Sequence, residues 1–348
     1  PNLKRERGGI SMRKPDFERN TLRVLQKGKP ERPALFELFL NPTYYARLAG
    51  RESIPGDSFD YLKLVVEAMA AAGYDYASTH ASSFGFDAKP RAHLNTVSLN
   101  DGAVITDWES FEKYTWHDPE SYDVSNIEKI APFLPEGMKL MIMGPCGVLE
   151  NLIALIGYEN LCVMLYDEPG LVKEVVDHIG SALVRYYDMV AGMDTVGFLC
   201  SNDDWGFNTQ TFLSPEDMRK YIFPWHKRIV EVAHKHGKPC ILHSCGYFDE
   251  VIEDIIEDMK FDGRHSYEDN ICPVEQAYDR LAGRIAVMGG IDMDFITRGE
   301  PDQIYARSKA MLERSKDRGC YLLGSGNSVP EYVPFENYMA MVRAATEE

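Results

Sequence analysis

The sequence predicts an α/β fold, a (β/α)8 TIM-type barrel with an insertion after the second strand. Three observations predict it. Eight short, β-like apolar runs alternate with helical patterns along the chain. Most of the runs end in turns rich in Gly and polar residues, the end at which such barrels carry their chemistry. The length of 348 residues fits one barrel of about 250 residues plus insertions. At about 150 residues per domain the length also admits two domains. No linker, internal repeat or low-complexity segment separates them, so a single domain is expected over residues 12–348. Residues 1–11, polar and basic, are expected to form a leader outside the fold, with Met12 as the natural start.

The elements follow in order. The first strand is Ala34–Phe39, after the breaker Pro33, and the second is Tyr74–Thr79. The weakly periodic stretch Gly85–Tyr122 is the expected insertion. The third strand is Lys139–Met143, ending at Gly144-Pro145-Cys146-Gly147. Asp167-Glu168-Pro169 opens a long helix through Asp188. The fourth strand, Val196–Cys200, runs into Ser201-Asn202-Asp203-Asp204-Trp205-Gly206. Ser214-Pro215-Glu216-Asp217 supplies an N-cap, a Pro at the first helical position and acid in the first turn. That helix runs on from Tyr221 to His236, and Gly237 closes it. The fifth strand, Pro239–His243, leads to Ser244-Cys245-Gly246, and Phe248–Met259 reads as an amphipathic helix. Gly263–Ser266, Ile285–Met288 and Cys320–Leu323 complete the set. The last two strands end in Gly289-Gly290-Ile291-Asp292 and Gly324-Ser325-Gly326-Asn327.

Composition narrows the function. The 37 basic and 54 acidic residues leave a net charge of −17, which argues against nucleic-acid and anionic-membrane partners. Seven cysteines without a C-x-x-C pair indicate reduced thiols and a cytoplasmic setting. No apolar run approaches the ~18 residues of a membrane span. No dinucleotide fingerprint, P-loop, H-E-x-x-H or G-x-S-x-G motif is present.

Strand ends sort the polar residues. Glu37, Cys146, Cys200, Asp203, Asp204, His243, Cys245, His265, Asp292 and Asn327 fall at or just past them. His243 and Cys245, two apart in extended chain, point the same way and suit one zinc ion as imidazole nitrogen and thiolate. The alternative is a hydrogen-bonded barrel histidine beside a small buried thiol. Further ligands must come from other strands, with Glu37, Cys146, Cys200 and His265 the candidates by position. Asp203 and Asp204 suit cation binding, substrate orientation or acid/base work, and one of the two is expected to be structural.

Asp203-Asp204-Trp205-Gly206, Leu213-Ser214-Pro215-Glu216, Tyr221–Pro224, His243-Ser244-Cys245-Gly246 and Gly290-Ile291-Asp292 together resemble the uroporphyrinogen decarboxylase superfamily. The resemblance runs from Met12 onward, takes in Glu18-Arg19-Asn20 to Pro33, and is strongest over 196–330. It implies a (β/α)8 barrel and one of two activities. The decarboxylases carry an arginine-rich loop after the first strand and an aspartate after the second. Here Phe36–Tyr45 contains no arginine, and Ser78-Thr79-His80-Ala81-Ser82-Ser83 no acid. The other branch, corrinoid-linked methyltransferases, holds zinc with a His-x-Cys motif, to which His243 and Cys245 are similar, and with a later cysteine. That cysteine falls at about Asn327, a poor zinc ligand, so Glu37, Cys146 and Cys200 are its candidate substitutes.

The resemblance therefore implies a zinc-dependent methyltransferase exchanging a methyl group between a small methyl compound or thiol and a corrinoid (cobalamin) protein. In this reading Asp203 or Asp204 is catalytic, and Glu37, Asp292, Asn327 and His265 bind substrate or cofactor. The alternatives are a metal-free decarboxylase of tetrapyrroles and a catalytically silent ligand-binding barrel.

Overall fold

The computed structural model describes residues 13–88 and 103–347. The leader expected at residues 1–11 lies outside them, as do residues 89–102 of the expected insertion. The described part of that insertion holds a short helix, Trp108–Lys113, and a 3-10 turn, Pro119–Ser121.

Seven strands form a parallel α/β sheet whose order follows the chain: β1 (Tyr76–His80), β2 (Lys139–Met143), β3 (Val196–Asn202), β4 (Cys240–His243), β5 (Gly263–His265), β6 (Ala286–Met288) and β7 (Tyr321–Leu322). The strand expected at Ala34–Phe39 is not a continuous strand. Its backbone pairs with the following chain around residues 323 and 329 as isolated parallel bridges, Leu35 to Leu323 and Leu40 to Val329. The reason is local. The Glu37 and Leu40 amides donate to the hydroxyls of Tyr76 and Tyr45, at 2.8 and 2.9 Å, instead of to a neighbouring strand.

The residues cluster into two compact units. The first comprises the described residues of Pro1–Thr79, Glu128–Met141 and Asp262–Glu348. Its core gathers Leu35, Phe36, Leu64, Met69, Val287, Leu322 and Val342, all essentially without exposure. Registers Gly263 to Ala286 and Val287 to Tyr321 align β5, β6 and β7, and a further bridge joins Ile291 to Ser325.

The second unit comprises the described residues of His80–Ile127 and Ile142–Phe261. Its long helix, Pro169–Ala191, begins with Pro at its first position and buries Leu171, Val172, Val175, Val176, Ile179 and Leu183 on one face. The expected cap at Ser214 is present, with Asp217 N–H donating to Ser214 Oγ at 3.1 Å. The path from there is not one regular helix. A short turn, Pro215–Asp217, opens into a wide π turn over Met218–Ile222 before the α-helix Phe223–Lys235. Gly237 follows at φ +69°, the left-handed conformation that ends a helix. The helix expected over Phe248–Met259 likewise contains a 3-10 turn at Asp249–Val251 and a π turn at Asp254–Asp258. Among the described residues no single helix is long and apolar enough to cross a membrane.

Candidate metal centre

The centre is built from two paired strands. Register aligns Leu199 with Cys240 and Asn202 with His243, and Asp203 N–H extends the ladder to His243 O at 2.9 Å. The residues just past β3 therefore run alongside those just past β4. Asp204, His243 and Cys245 each bring one ligand atom to this place, and the three atoms lie within 4.8 Å of one another. His243 is buried and the other two are half-buried. Cys245 N–H donates to Asp204 Oδ1 at 2.9 Å, which fixes the carboxylate beside the thiol. Burial raises the Asp204 pKa, the Cys245 backbone and thiol bonds oppose it, and the neighbouring Asp203 charge adds to it. The turn after Cys245 requires glycine. Gly246 has φ +113°, and a Cβ there would lie 2.6 Å from Gly206 O.

Asp203 anchors this arrangement. Its fully buried carboxylate accepts hydrogen bonds from Leu149 N, Glu150 N and Trp205 Nε1, each at 2.9 Å, and from His226 Nε2 at 2.8 Å. Two of these four donors belong to the first turn of the helix Val148–Ile156, where negative charge is stabilised. The other ring nitrogen of His226 meets Ser201 Oγ at 2.9 Å, so the imidazole is held at both ends. Trp205 N–H donates to Ser244 Oγ at 3.2 Å, tying the turn after β3 to the turn after β4. Gly147 is required here as well, since a Cβ would lie 2.0 Å from the Asp203 Cβ. Of the two adjacent aspartates, Asp203 is thus engaged on both oxygens while Asp204 joins the ligand group.

Glu150 was not singled out by the sequence. Desolvation first, then the Asp203 and Asp204 charges, push its carboxyl pKa up to about 8. Its carboxylate accepts from Gly147 N–H at 3.1 Å. The one sequence signal was its place three residues after Gly147, as in a capping box.

Glu37, His265, Cys146 and Cys200, the candidate further ligands, are not part of the donor group found among the described residues. Cys200 is buried within β3, and burial pushes its thiol pKa far up. Cys146 is exposed at φ +60° in the turn after β2.

Glu37, His265, Asp292 and Asn327 belong to the first unit. Glu37 is fully buried and contacts Ser325, while His265 Nε2 donates to Ser325 O at 3.0 Å. Asp292 caps the helix Met293–Arg298 by accepting from Phe295 N–H at 3.0 Å, and accepts from Asp269 N–H at 2.9 Å. Asp292 and Asn327 line a cavity of about 930 Å³, with Glu268, Phe295, Ser328 and Tyr332 on its walls. The structure thus gathers Glu37, His265 and Asn327 around Ser325.

The donor set of one imidazole nitrogen, one thiolate and one carboxylate fits zinc. Three protein ligands also leave a fourth position open, as in catalytic zinc sites. The third donor is Asp204, for which cation binding was one of three expected roles.

Comparison with known proteins bears on the same region. The family described as "Uroporphyrinogen decarboxylase (URO-D)" matches residues 121–348, which contain the whole donor group. The uroporphyrinogen decarboxylase of Prochlorococcus marinus (strain MIT 9215) is 26% identical over 187 residues, covering 52% of this chain and 49% of that protein. That of Anaeromyxobacter dehalogenans (strain 2CP-C) is 26% identical over 192 residues, covering 54% and 51%. The chain thus spans about half the length of these curated relatives. Among solved structures, a methyltransferase from Methanosarcina mazei superposes with a TM-score of 0.67 at 15% identity, covering 94% of this chain and 97% of that one. At that identity the likeness is one of fold. The family match covers about two thirds of the sequence and includes β2 to β7, and on that ground the chain belongs to the uroporphyrinogen decarboxylase family.

Proposed function

We propose that the chain is a zinc-dependent methyltransferase that exchanges a methyl group between a small methyl compound or thiol and a corrinoid carried by a partner protein. The observation that carries this reading is the convergence of Asp204, His243 and Cys245 ligand atoms within 4.8 Å at two neighbouring strand ends. A methyltransferase shares the fold, which permits the reading without deciding it. In this proposal residues 12–348 act as one barrel domain in the cytoplasm, with the bridged segment 34–40 in the place of the remaining strand, an insertion after the second strand and residues 1–11 as a leader.

His243, Cys245 and Asp204 would hold the ion. Zinc when bound supplies Lewis acidity, either lowering the pKa of a thiol or polarising a methyl-bearing oxygen or nitrogen. The chain's own residues set the stage for it. Asp203 is fixed by four donors and so positions Asp204. The Cys245 amide orients the Asp204 carboxylate. Glu37, His265, Asp292 and Asn327 remain the proposed substrate or cofactor side.

A second reading, decarboxylation of a tetrapyrrole, is favoured by the names of the relatives. It conflicts with the absence of arginine from Phe36–Tyr45, because a polycarboxylate needs cationic clamps. Zinc analysis of the purified protein, with a methylcobalamin-to-thiol transfer assay, tests the proposal. Stoichiometric zinc that is lost in the His243→Ala, Cys245→Ser double variant supports it. Full activity of metal-free protein, or turnover of uroporphyrinogen III, overturns it.

A further inference from the structure

We propose that Glu37 is a neutral carboxylic acid that donates its proton to Ser325 Oγ and thereby locks the turn 324–330 beside the 930 Å³ cavity, a lock that opens when Glu37 ionises. The inference is independent of the metal reading, because it rests on atoms of the first unit alone.

The argument is a count of hydrogens. Ser325 Oγ lies 2.6 Å from Glu37 Oε2 and 2.5 Å from the backbone oxygen of Asn327. A serine hydroxyl has one hydrogen to give, and a carbonyl oxygen has none. Both contacts, at 2.6 and 2.5 Å, can be full two-centre hydrogen bonds rather than halves of one shared hydrogen only if Ser325 donates to Asn327 O and Glu37 donates to Ser325. The carboxyl must then carry the proton. Its other oxygen, Oε1, accepts from Ser325 N–H at 2.9 Å, as a neutral acid's carbonyl oxygen does.

The surroundings agree. The titratable groups facing Glu37 are Tyr45, Tyr74, Tyr76, Tyr321 and Tyr338, with His265 reaching it through Ser325 O. Burial raises the carboxyl to about 8, and the two Ser325 bonds are what oppose it.

Ionisation changes the pattern without moving an atom far. A carboxylate is the stronger acceptor, so the single Ser325 hydrogen turns toward Glu37 and the Asn327 carbonyl loses that donor. Asn327, Ser328 and Pro330 all line the cavity, so loosening this turn alters its wall. Glu37 is therefore a positioning residue whose protonation state sets the shape of the cavity.

The test uses the full chain with carbon-13 in the glutamate carboxyls. The Glu37 and Glu150 carboxyls are both expected to titrate with midpoints near 8, and the resonance that vanishes in Glu37→Gln is that of Glu37. Backbone amide exchange over 324–330, corrected for its intrinsic pH dependence, is expected to quicken above that midpoint in the wild type and to stay level in Glu37→Gln. Where Glu37→Gln does not fold, Ser325→Ala assigns the resonance by moving its midpoint. A wild type with every glutamate ionised at neutral pH overturns the proposal. So does an unmoved midpoint in Ser325→Ala, or the same exchange profile in Glu37→Gln as in the wild type.

Discussion

Asp203 and His226 meet at 2.8 Å with both side chains fully buried, and the pair holds the strand end that presents Asp204. The helix Phe223–Lys235 carries the histidine, and the turn after β3 carries the aspartate. Neither residue is in the ligand group, yet the position of that group depends on them.

Removing the Asp203 carboxylate strands four buried donors. Asp203→Ala is expected to cost about 3–5 kcal/mol, as breaking a buried pair does. Urea unfolding measures it. A loss below about 1 kcal/mol would show that the network is slack.

Asp204→Asn keeps the shape and removes the charge. Zinc affinity is expected to fall by more than the roughly 10–100-fold that changes outside the ligand set cost. Cys146→Ser and Cys200→Ser are expected to leave zinc content unchanged, because neither thiol belongs to the donor group. Competition with a chromogenic chelator reads all three. Zinc loss in either serine variant would place that thiol in the site.

The two thiols also differ in reactivity. Cys146 is exposed, whereas Cys200 is buried with its pKa raised by desolvation. In the native protein a disulfide reagent is expected to label Cys146 and to reach Cys200 only on unfolding. Mass-spectrometric mapping of labelled sites decides this, and rapid native labelling of Cys200 would contradict its burial.

Glu37 gives stability a pH dependence of definite sign. Its folded pKa of about 8 lies above the ordinary carboxyl value of 4.5, so the folded state holds a proton that the unfolded state releases. The contribution is complete below about pH 4.5 and is lost as pH rises toward 8. Over that window it amounts to an order of 5 kcal/mol, at about 1.4 kcal/mol per unit. Glu37→Gln is expected to remove this decline. Parallel slopes for the two proteins in chemical denaturation across pH would exclude it.

Gly147→Ala places a methyl group 2.0 Å from the Asp203 Cβ. Overpacking of this kind costs typically 1–3 kcal/mol and here also disturbs the Asp203 network. A variant with wild-type melting temperature and zinc content would show that the turn after β2 yields freely.

The sequence by itself determined the alternation of strands and helices, the long helix from Pro169, the cap at Ser214 and the strand-end placement of His243 and Cys245. These are local properties, written in periodicity, caps and breakers. The tertiary structure decided the rest. The third donor is Asp204 because the register of β3 on β4 sets the turn after one beside the turn after the other, and register is a property of the pair. The strand expected at 34–39 is reduced to single bridges because the Tyr76 hydroxyl captures the Glu37 amide and the Tyr45 hydroxyl that of Leu40 just beyond it. Asp203 and Asp204 are adjacent and chemically identical. Only their burial against different donors makes one an anchor and the other a ligand.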